Sequence, residues 1–305
     1  MTRFRDVTLR DGLQLTGGLL PTEHKVRIAK ALLAVGIDAV EVGAMARPDL
    51  VPPMANTVEV IEALGPDELE DAWVWVATPS GVTRALAAGA RNLQYCLSVS
   101  ESHNLANVGR SVEQSLAALP SAVEATLAAG GRIQLTLATS FTCPVEGRID
   151  PARVIEVLND PRAEGTMSVA ICDTLGQAVP TEVRDLTLRV LDEDRFARET
   201  LFHGHDTWGA GVANALAAVE AGIGWLDGAL GGLGGCPFAA GASGNTATED
   251  LVFALRPDWL EPTGLANLVA LGDEVVTAVG ERNGSRTAAA FHATPGASPF
   301  VWAAG

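Results

Sequence analysis

DVTLRDGLQLTGGLLPTEHKVRIAKALLAVGIDAVEV, residues 6–42, reads as a strand-like segment, a helical run and a second strand-like segment. The helical run, Thr22 to Val35, opens behind Pro21 and stops at Gly36, residue types that suit a helix start and a left-handed helix end. Strand, helix, strand without a hairpin turn is the pattern of a parallel βα unit.

Working outward, the same alternation repeats to eight units. Strands are predicted at Asp6–Leu9, Ala39–Val42, Trp73–Ala77, Asn92–Leu97, Arg132–Ala138, Met167–Cys172, Thr200–His205 and Gly224–Ala229. Each is short and largely apolar, as a parallel strand covered on both faces should be. Helical runs lie between them, among them Val82–Ala88, Ser111–Ala129 and Pro180–Leu191. A doubly wound sheet also alternates in this way. Eight units, with Asp11, Glu41, Asp173, His203 and His205 at the predicted strand ends, favour an α/β fold of the (β/α)8 TIM-barrel type, in which those ends share one mouth. No low-complexity linker divides the chain, so residues 1–305 are expected to form a single catalytic domain. A Gly-rich loop at 231–245 and a C-terminal helical extension from about 246 to 305 would complete it.

Composition narrows the function. Hydrophobic residues make up 48% and charged residues 19%, enough to bury a large core. A formal net charge of -16, with no basic cluster, argues against nucleic acid as a partner. No signal-like N-terminus or membrane-length apolar run is present, so a cytoplasmic protein without a membrane partner is expected. Cys96, Cys143, Cys172 and Cys236 are scattered without a CxxC spacing and are read as reduced thiols. The apolar tail FHATPGASPFVWAAG would pack on the barrel or on a second copy, and a homo-oligomer, with a dimer as its simplest form, is the expected assembly.

HGHD at 203–206 ends a predicted strand. Residues two apart on a strand point the same way, so His203 and His205 would project together into the mouth, where two imidazoles suit one metal ion. The first strand lies two places from the seventh in a closed barrel, so Asp11 can reach the same ion as a hard anionic ligand. Such a mixed set suits Mg2+ or Mn2+, and its imidazoles equally suit Zn2+. Glu41 and Asp173 sit in apolar contexts. Each either pairs with a buried arginine or orients Arg10, metal-bound water or the substrate, with a raised pKa where its surroundings are apolar.

With these residues in hand, the chain resembles the hydroxymethylglutaryl-CoA lyase family of metal-dependent lyase and synthase barrels. The resemblance spans nearly the whole chain. It is carried by GGLGGCPFAAGASGNTATEDLV at 231–252, RDGLQ at 10–14, CPVEG at 143–147, DTLG at 173–176 and HGHDTWGAGVANALAAVEAG at 203–222. It implies Asp11, His203, His205 and Asn245 as metal ligands, with Arg10 and Gln14 facing the substrate. Cys236 would help transfer protons from a flexible loop, together with His203. Asp173 and Glu41 would act near the reacting groups, with Asp173 taking part in proton removal, and Glu249 would support the site from behind.

The implied reaction is a retro-Claisen or retro-aldol cleavage of a 3-hydroxy-3-methylglutaryl-CoA-like acyl thioester or a related hydroxy acid. Two mouth loops depart from the family. RDGLQLTGG lacks the basic residue expected after RDGLQ, and VGAMARPDLVPPM replaces the loop after the second strand. Arg47 in that second loop would replace the lost charge and meet a substrate carboxylate. An aldolase of 4-hydroxy-2-oxo acids, an acyl-CoA-condensing synthase of the same barrel type and a catalytically idle metal-binding scaffold are the alternatives.

Overall fold

A computed structural model describes residues 2–235 and 244–293. Eight parallel strands close into a barrel: β1 (Arg3–Asp6), β2 (Ala39–Ala44), β3 (Ala72–Val76), β4 (Asn92–Ser98), β5 (Arg132–Ala138), β6 (Ser168–Asp173), β7 (Glu199–Gly204) and β8 (Trp225–Gly228). Closure comes from β1, which pairs Phe4 with Leu226 of β8 on one side and Arg5 with Ala39 of β2 on the other. A two-residue hairpin, Thr142–Cys143 with Gly147–Arg148, stands outside the barrel and contains the CPVEG motif.

Helices α1 (Thr22–Val35), α2 (Thr57–Ala63), α3 (Pro66–Asp71), α4 (Pro79–Ala87), α5 (Glu101–Val108) and α6 (Val112–Ala128) accompany the first half of the barrel. The second half carries α7 (Pro151–Leu158), α8 (Pro180–Glu193) and α9 (Gly211–Glu220), and α10 (Thr248–Leu255), α11 (Pro262–Val279) and α12 (Arg286–Ala293) follow β8. No helix of the described residues is long and apolar enough to cross a membrane. The apolar tail, apart from its first few residues, lies outside the described residues, as does Cys236.

The main core fills the layer between barrel and helices. Tyr95, Phe202, Leu93, Ile133 and Ile171 point outward from their strands to meet buried helix residues such as Ile28, Leu32 and Leu119. The alternate strand positions fill the lumen, where Ala170, Cys172 and Leu201 form a separate small apolar cluster. The lumen is otherwise polar: Arg5 donates to Gln134 at 3.0 Å and lies over the Trp73 ring at 4.4 Å. The period-two alternation thus sends Leu201 and His203 inward and Phe202 outward, the arrangement the site depends on.

The first strand runs earlier than predicted. It ends at Asp6, and Thr8–Gly12 wind into a wide helical turn closed by the Gly12 N–H donating to the Val7 carbonyl at 3.1 Å. Asp6 causes the break. Its carboxylate accepts from the Thr8 N–H at 2.9 Å and the Thr248 hydroxyl at 2.6 Å, diverting the chain from the strand ladder. Glu41 lies within β2 rather than at its end. The segment after β8 is not uniformly loop, since Leu230–Gly232 form a short 3-10 turn and Asn245 and Ala247 make isolated bridges to His205 and Ala229.

Candidate active site

The helical turn after β1 carries Arg10 and Asp11 into the mouth, both less than a tenth exposed. Asp11 is its hub. One carboxylate oxygen accepts from Gln14 Nε2 at 2.6 Å and pairs with the Arg10 guanidinium. The other accepts from Asn245 Nδ2 at 2.9 Å and His205 Nε2 at 3.2 Å, with His203 Nε2 3.9 Å away. Burial alone would raise the Asp11 pKa, but Arg10 and the two imidazoles outweigh it and hold the carboxyl well below the ordinary range.

His203 and His205 stand with ring centroids 5.0 Å apart, as side chains two residues apart on one strand should. Asn245 reaches them because its chain bridges to His205 across the mouth. Gly234 makes room for it: its φ is +110°, and a Cβ there would lie 2.6 Å from Asn245 Nδ2.

Asp11, His203 and His205 each offer a ligand atom within 4.8 Å of the others, and all three are buried. Asn245 Oδ1 is buried without a hydrogen-bond partner beside the same carboxylate. An orphaned carbonyl oxygen costs about 1–3 kcal/mol, which a cation would relieve once the amide turned its oxygen toward the cluster. One carboxylate, two imidazoles and one amide therefore fit a divalent metal ion. The second nitrogen of His203 supports this. Nδ1 is held at 2.9 Å by the Asp227 carboxylate, which orients the ring and directs Nε2 toward Asp11. Burial opposes protonation of His203, yet the charge and hydrogen bond of Asp227 raise its pKa on balance.

Arg10 is gripped from both sides, its Nε donating to Glu41 at 2.9 Å and its Nη1 to Asp11. Glu41 therefore orients Arg10 directly. Burial raises the Glu41 pKa while Arg10 and Arg5 oppose the rise. Arg10, Asp11, Gln14, His203 and His205 line one cavity of about 320 Å3, with the Cys96 and Cys172 thiols also on its walls. Cys96, Cys143 and Cys172 are unbridged.

Three other candidates stand elsewhere. Asp173, at the end of β6, spends its two oxygens on the backbone N–H groups of Gln177 and Ala178, at 3.0 and 3.1 Å, and its raised pKa follows from burial. Glu249 is fully buried behind the site, where both its oxygens accept from the Gly231 N–H and burial pushes its pKa up to about 8. Arg47 is exposed and pairs with Asp49, away from the cavity lining. Cys236 lies outside the described residues. Sequence reasoning passed over Asp227. Its signal was an acidic residue within the apolar segment WLDGAL, the same signal that selected Glu41.

The chain is similar to known proteins in sequence and in fold. Residues 2–275 match the HMGL-like family model. The chain is 34% identical to the mitochondrial hydroxymethylglutaryl-CoA lyase of Bos taurus, with 93% of this chain and 88% of that protein covered. It is 35% identical to the Arabidopsis thaliana mitochondrial hydroxymethylglutaryl-CoA lyase, covering 94% of this chain and 61% of that longer protein. An HMG-CoA lyase from Acinetobacter baumannii, solved in complex with coenzyme A and 3-methylmalate, superposes with a TM-score of 0.86 at 32% identity, covering 95% of each chain. In sequence, in barrel topology and over nearly its whole length, this chain belongs to the HMGL-like family.

Proposed function

We propose that this protein is a divalent-metal-dependent carbon–carbon lyase that cleaves 3-hydroxy-3-methylglutaryl-CoA, or a close 3-hydroxyacyl thioester, to acetoacetate and acetyl-CoA. One observation carries the reading: a buried carboxylate–imidazole cluster and a fixed guanidinium line a single cavity of about 320 Å3. The names of the relatives supply the substrate class, and the coenzyme A complex of the Acinetobacter protein supports a thioester.

Asp11, His203, His205 and Asn245 would hold Mg2+ or Mn2+, which when bound polarises the hydroxyl of the substrate and lowers its pKa. His203, oriented by Asp227 behind Nδ1, would offer Nε2 to the ion, and water in the open cavity would carry the hydroxyl proton away. Loss of the hydroxyl proton lets its electron pair form the ketone of acetoacetate as the bond between C2 and C3 breaks. The pair from that bond moves onto the thioester as an enolate. Arg10 keeps its charge at every working pH and is already oriented by Glu41, so it stabilises the enolate oxygen without reorganising. A proton from Cys236 to C2 then completes acetyl-CoA.

Purified protein supplied with Mg2+ and 3-hydroxy-3-methylglutaryl-CoA should release both products, identified by mass spectrometry. Arg10→Met should lower kcat by about 100- to 1,000-fold, the usual effect of removing one oxyanion-stabilising group. Cleavage of 4-hydroxy-2-oxo acids with no release of acetyl-CoA would replace this reading with an aldolase.

A further inference from the structure

Two tryptophans of β3 turn toward the barrel interior and meet different surroundings there. Residues two apart on a strand share a face, so Trp73 and Trp75 point the same way. Trp73 is 7% exposed, with the Arg5 and Arg132 guanidiniums 4.4 and 5.8 Å from its ring centroid. Trp75 is only half-buried, although Val74 and Val76 on either side of it are fully buried. It lines the cavity that Arg10, His203 and His205 also line, so the free part of its surface faces that cavity.

Its place in the ring sets what it faces. In the closed order β1-β8-β7-β6-β5-β4-β3-β2, β3 stands four places from β7 and therefore lies diametrically opposite it. β7 carries His203 and leads directly into His205, so the indole forms the wall across the cavity from the two imidazoles. The ring is held from behind. It packs against the main core, and its N–H is engaged by the Cys96 thiol, which burial keeps neutral by pushing its pKa up to about 12. With that donor spent, Trp75 offers a ligand an aromatic face. Among the described residues it is the one large apolar side chain of the lining, the remainder being polar groups, two thiols, alanines and a glycine.

In a 3-hydroxy-3-methylglutaryl thioester the carbon that bears the hydroxyl also bears two arms, ending in carboxylate and thioester, and one alkyl group. The lyase reading gives the hydroxyl to the metal cluster and the thioester oxygen to Arg10. A carboxylate set against the indole would give up its hydration without gaining a donor. The alkyl group gains by the same move, because only apolar surface leaves water. We infer that Trp75 is a specificity-determining residue: its indole is the wall on which the alkyl substituent of the hydroxyl-bearing carbon packs, and it limits that substituent to the size of a methyl group. The inference rests on the lyase reading of the same cavity.

Ligand binding tests it apart from turnover. Mn2+-loaded wild type, Trp75→Phe and Trp75→Leu would be titrated calorimetrically with 3-hydroxyglutarates carrying methyl, ethyl or propyl at C3. Wild type should bind the ethyl compound about tenfold more weakly than the methyl compound, the lower end of what one methylene decides in a close-fitting pocket, and the propyl compound more weakly still. Trp75→Leu should shrink the gap between methyl and ethyl to about twofold or reverse it, with Trp75→Phe in between. The ratio of kcat/KM for the matching 3-methyl and 3-ethyl CoA thioesters should move in the same order. A purely structural role would weaken all ligands together and leave these ratios unchanged. Melting curves and Mn2+ titration identify the folded variants, and Trp75→Phe decides the matter if Trp75→Leu does not fold. Unchanged ratios in a folded variant overturn the inference, as does wild type that binds none of the ligands or binds the ethyl compound as tightly as the methyl one. Discrimination that relaxes in the variants, without cleavage of any thioester, would sustain it while removing the lyase reading.

Discussion

Asp227→Asn isolates the contribution of the residue that orients His203. The change is isosteric and removes only the negative charge facing Nδ1 at 2.9 Å. A hydrogen bond to a charged partner is worth about 1.5–3 kcal/mol and a neutral one about 0.5–1.5, so the loss is about 1–1.5 kcal/mol. Since 1.4 kcal/mol corresponds to about tenfold in an equilibrium constant, Mn2+ affinity should fall by roughly five- to fifteenfold. That meets the lower end of the 10–100-fold range typical of groups behind a metal ligand. The assay is a calorimetric Mn2+ titration, with the pKa of His203 followed by NMR in the metal-free protein. The pKa should fall, because the raising influence of Asp227 is gone while burial, which lowers it, remains. Asp227 also attracts the buried Arg5, so melting curves must show the variant folded. Mn2+ affinity within twofold of wild type, in a folded variant, would refute the orienting role.

Further expectations concern stability and the metal. Burial raises the Glu249 pKa from 4.5 to about 8, so the folded protein holds a proton that the unfolded chain releases, and stability should fall as pH rises across that interval. Glu249→Gln should flatten this dependence in melting temperatures measured from pH 5 to about 9, and parallel curves for variant and wild type would count against it. Gly272→Ala would place a Cβ 2.2 Å from Glu249 Oε1, displacing the carboxylate from the Gly231 N–H. A loss of about 2 kcal/mol or more is expected in chemical denaturation, and a loss under about 0.5 would show that the helix can shift. Chelation should abolish activity, with Mn2+ restoring it in wild type but not in His205→Ala, and full activity of metal-free protein would exclude the metal-assisted reaction.

Much of the barrel is written in the sequence because a parallel strand covered on both faces must be short and apolar, and the runs around Val74, Leu135 and Ile171 have few other places to go. β1 is the instructive exception. Val7 and Leu9 give DVTL the apolar content of a strand, but the Asp6 carboxylate captures the Thr8 N–H and ends the strand three residues early. That competition between side chain and ladder depends on Thr248, distant in sequence, for its second hydrogen bond. His203 and His205 are legible from period two, and Asp11 from strand adjacency. Asn245 is not, because its approach depends on a single bridge across the mouth and on the backbone of Gly234. Asp173 and Asp227 look alike in sequence, each ending an apolar run. Asp173 faces two backbone N–H groups and Asp227 an imidazole, a difference set by the face of its strand on which each side chain falls.

The charges in the lumen also bear on the order in which the site fills. Arg5 and Arg10 supply two positive charges, against three negative ones when Asp11, Glu41 and Asp227 are all ionised, leaving one negative charge. Burial pushes Glu41 toward its neutral form, against the pull of Arg10 and Arg5. An anionic substrate entering such a cavity would meet repulsion in a low-dielectric space, where two charges about 4 Å apart interact by about 4 kcal/mol even at an effective dielectric constant of 20. A divalent cation on Asp11 reverses the sign of the balance and turns repulsion into attraction. Substrate affinity should therefore depend steeply on prior metal binding, whereas metal affinity without substrate is set by the proposed ligands and by Asp227 behind His203.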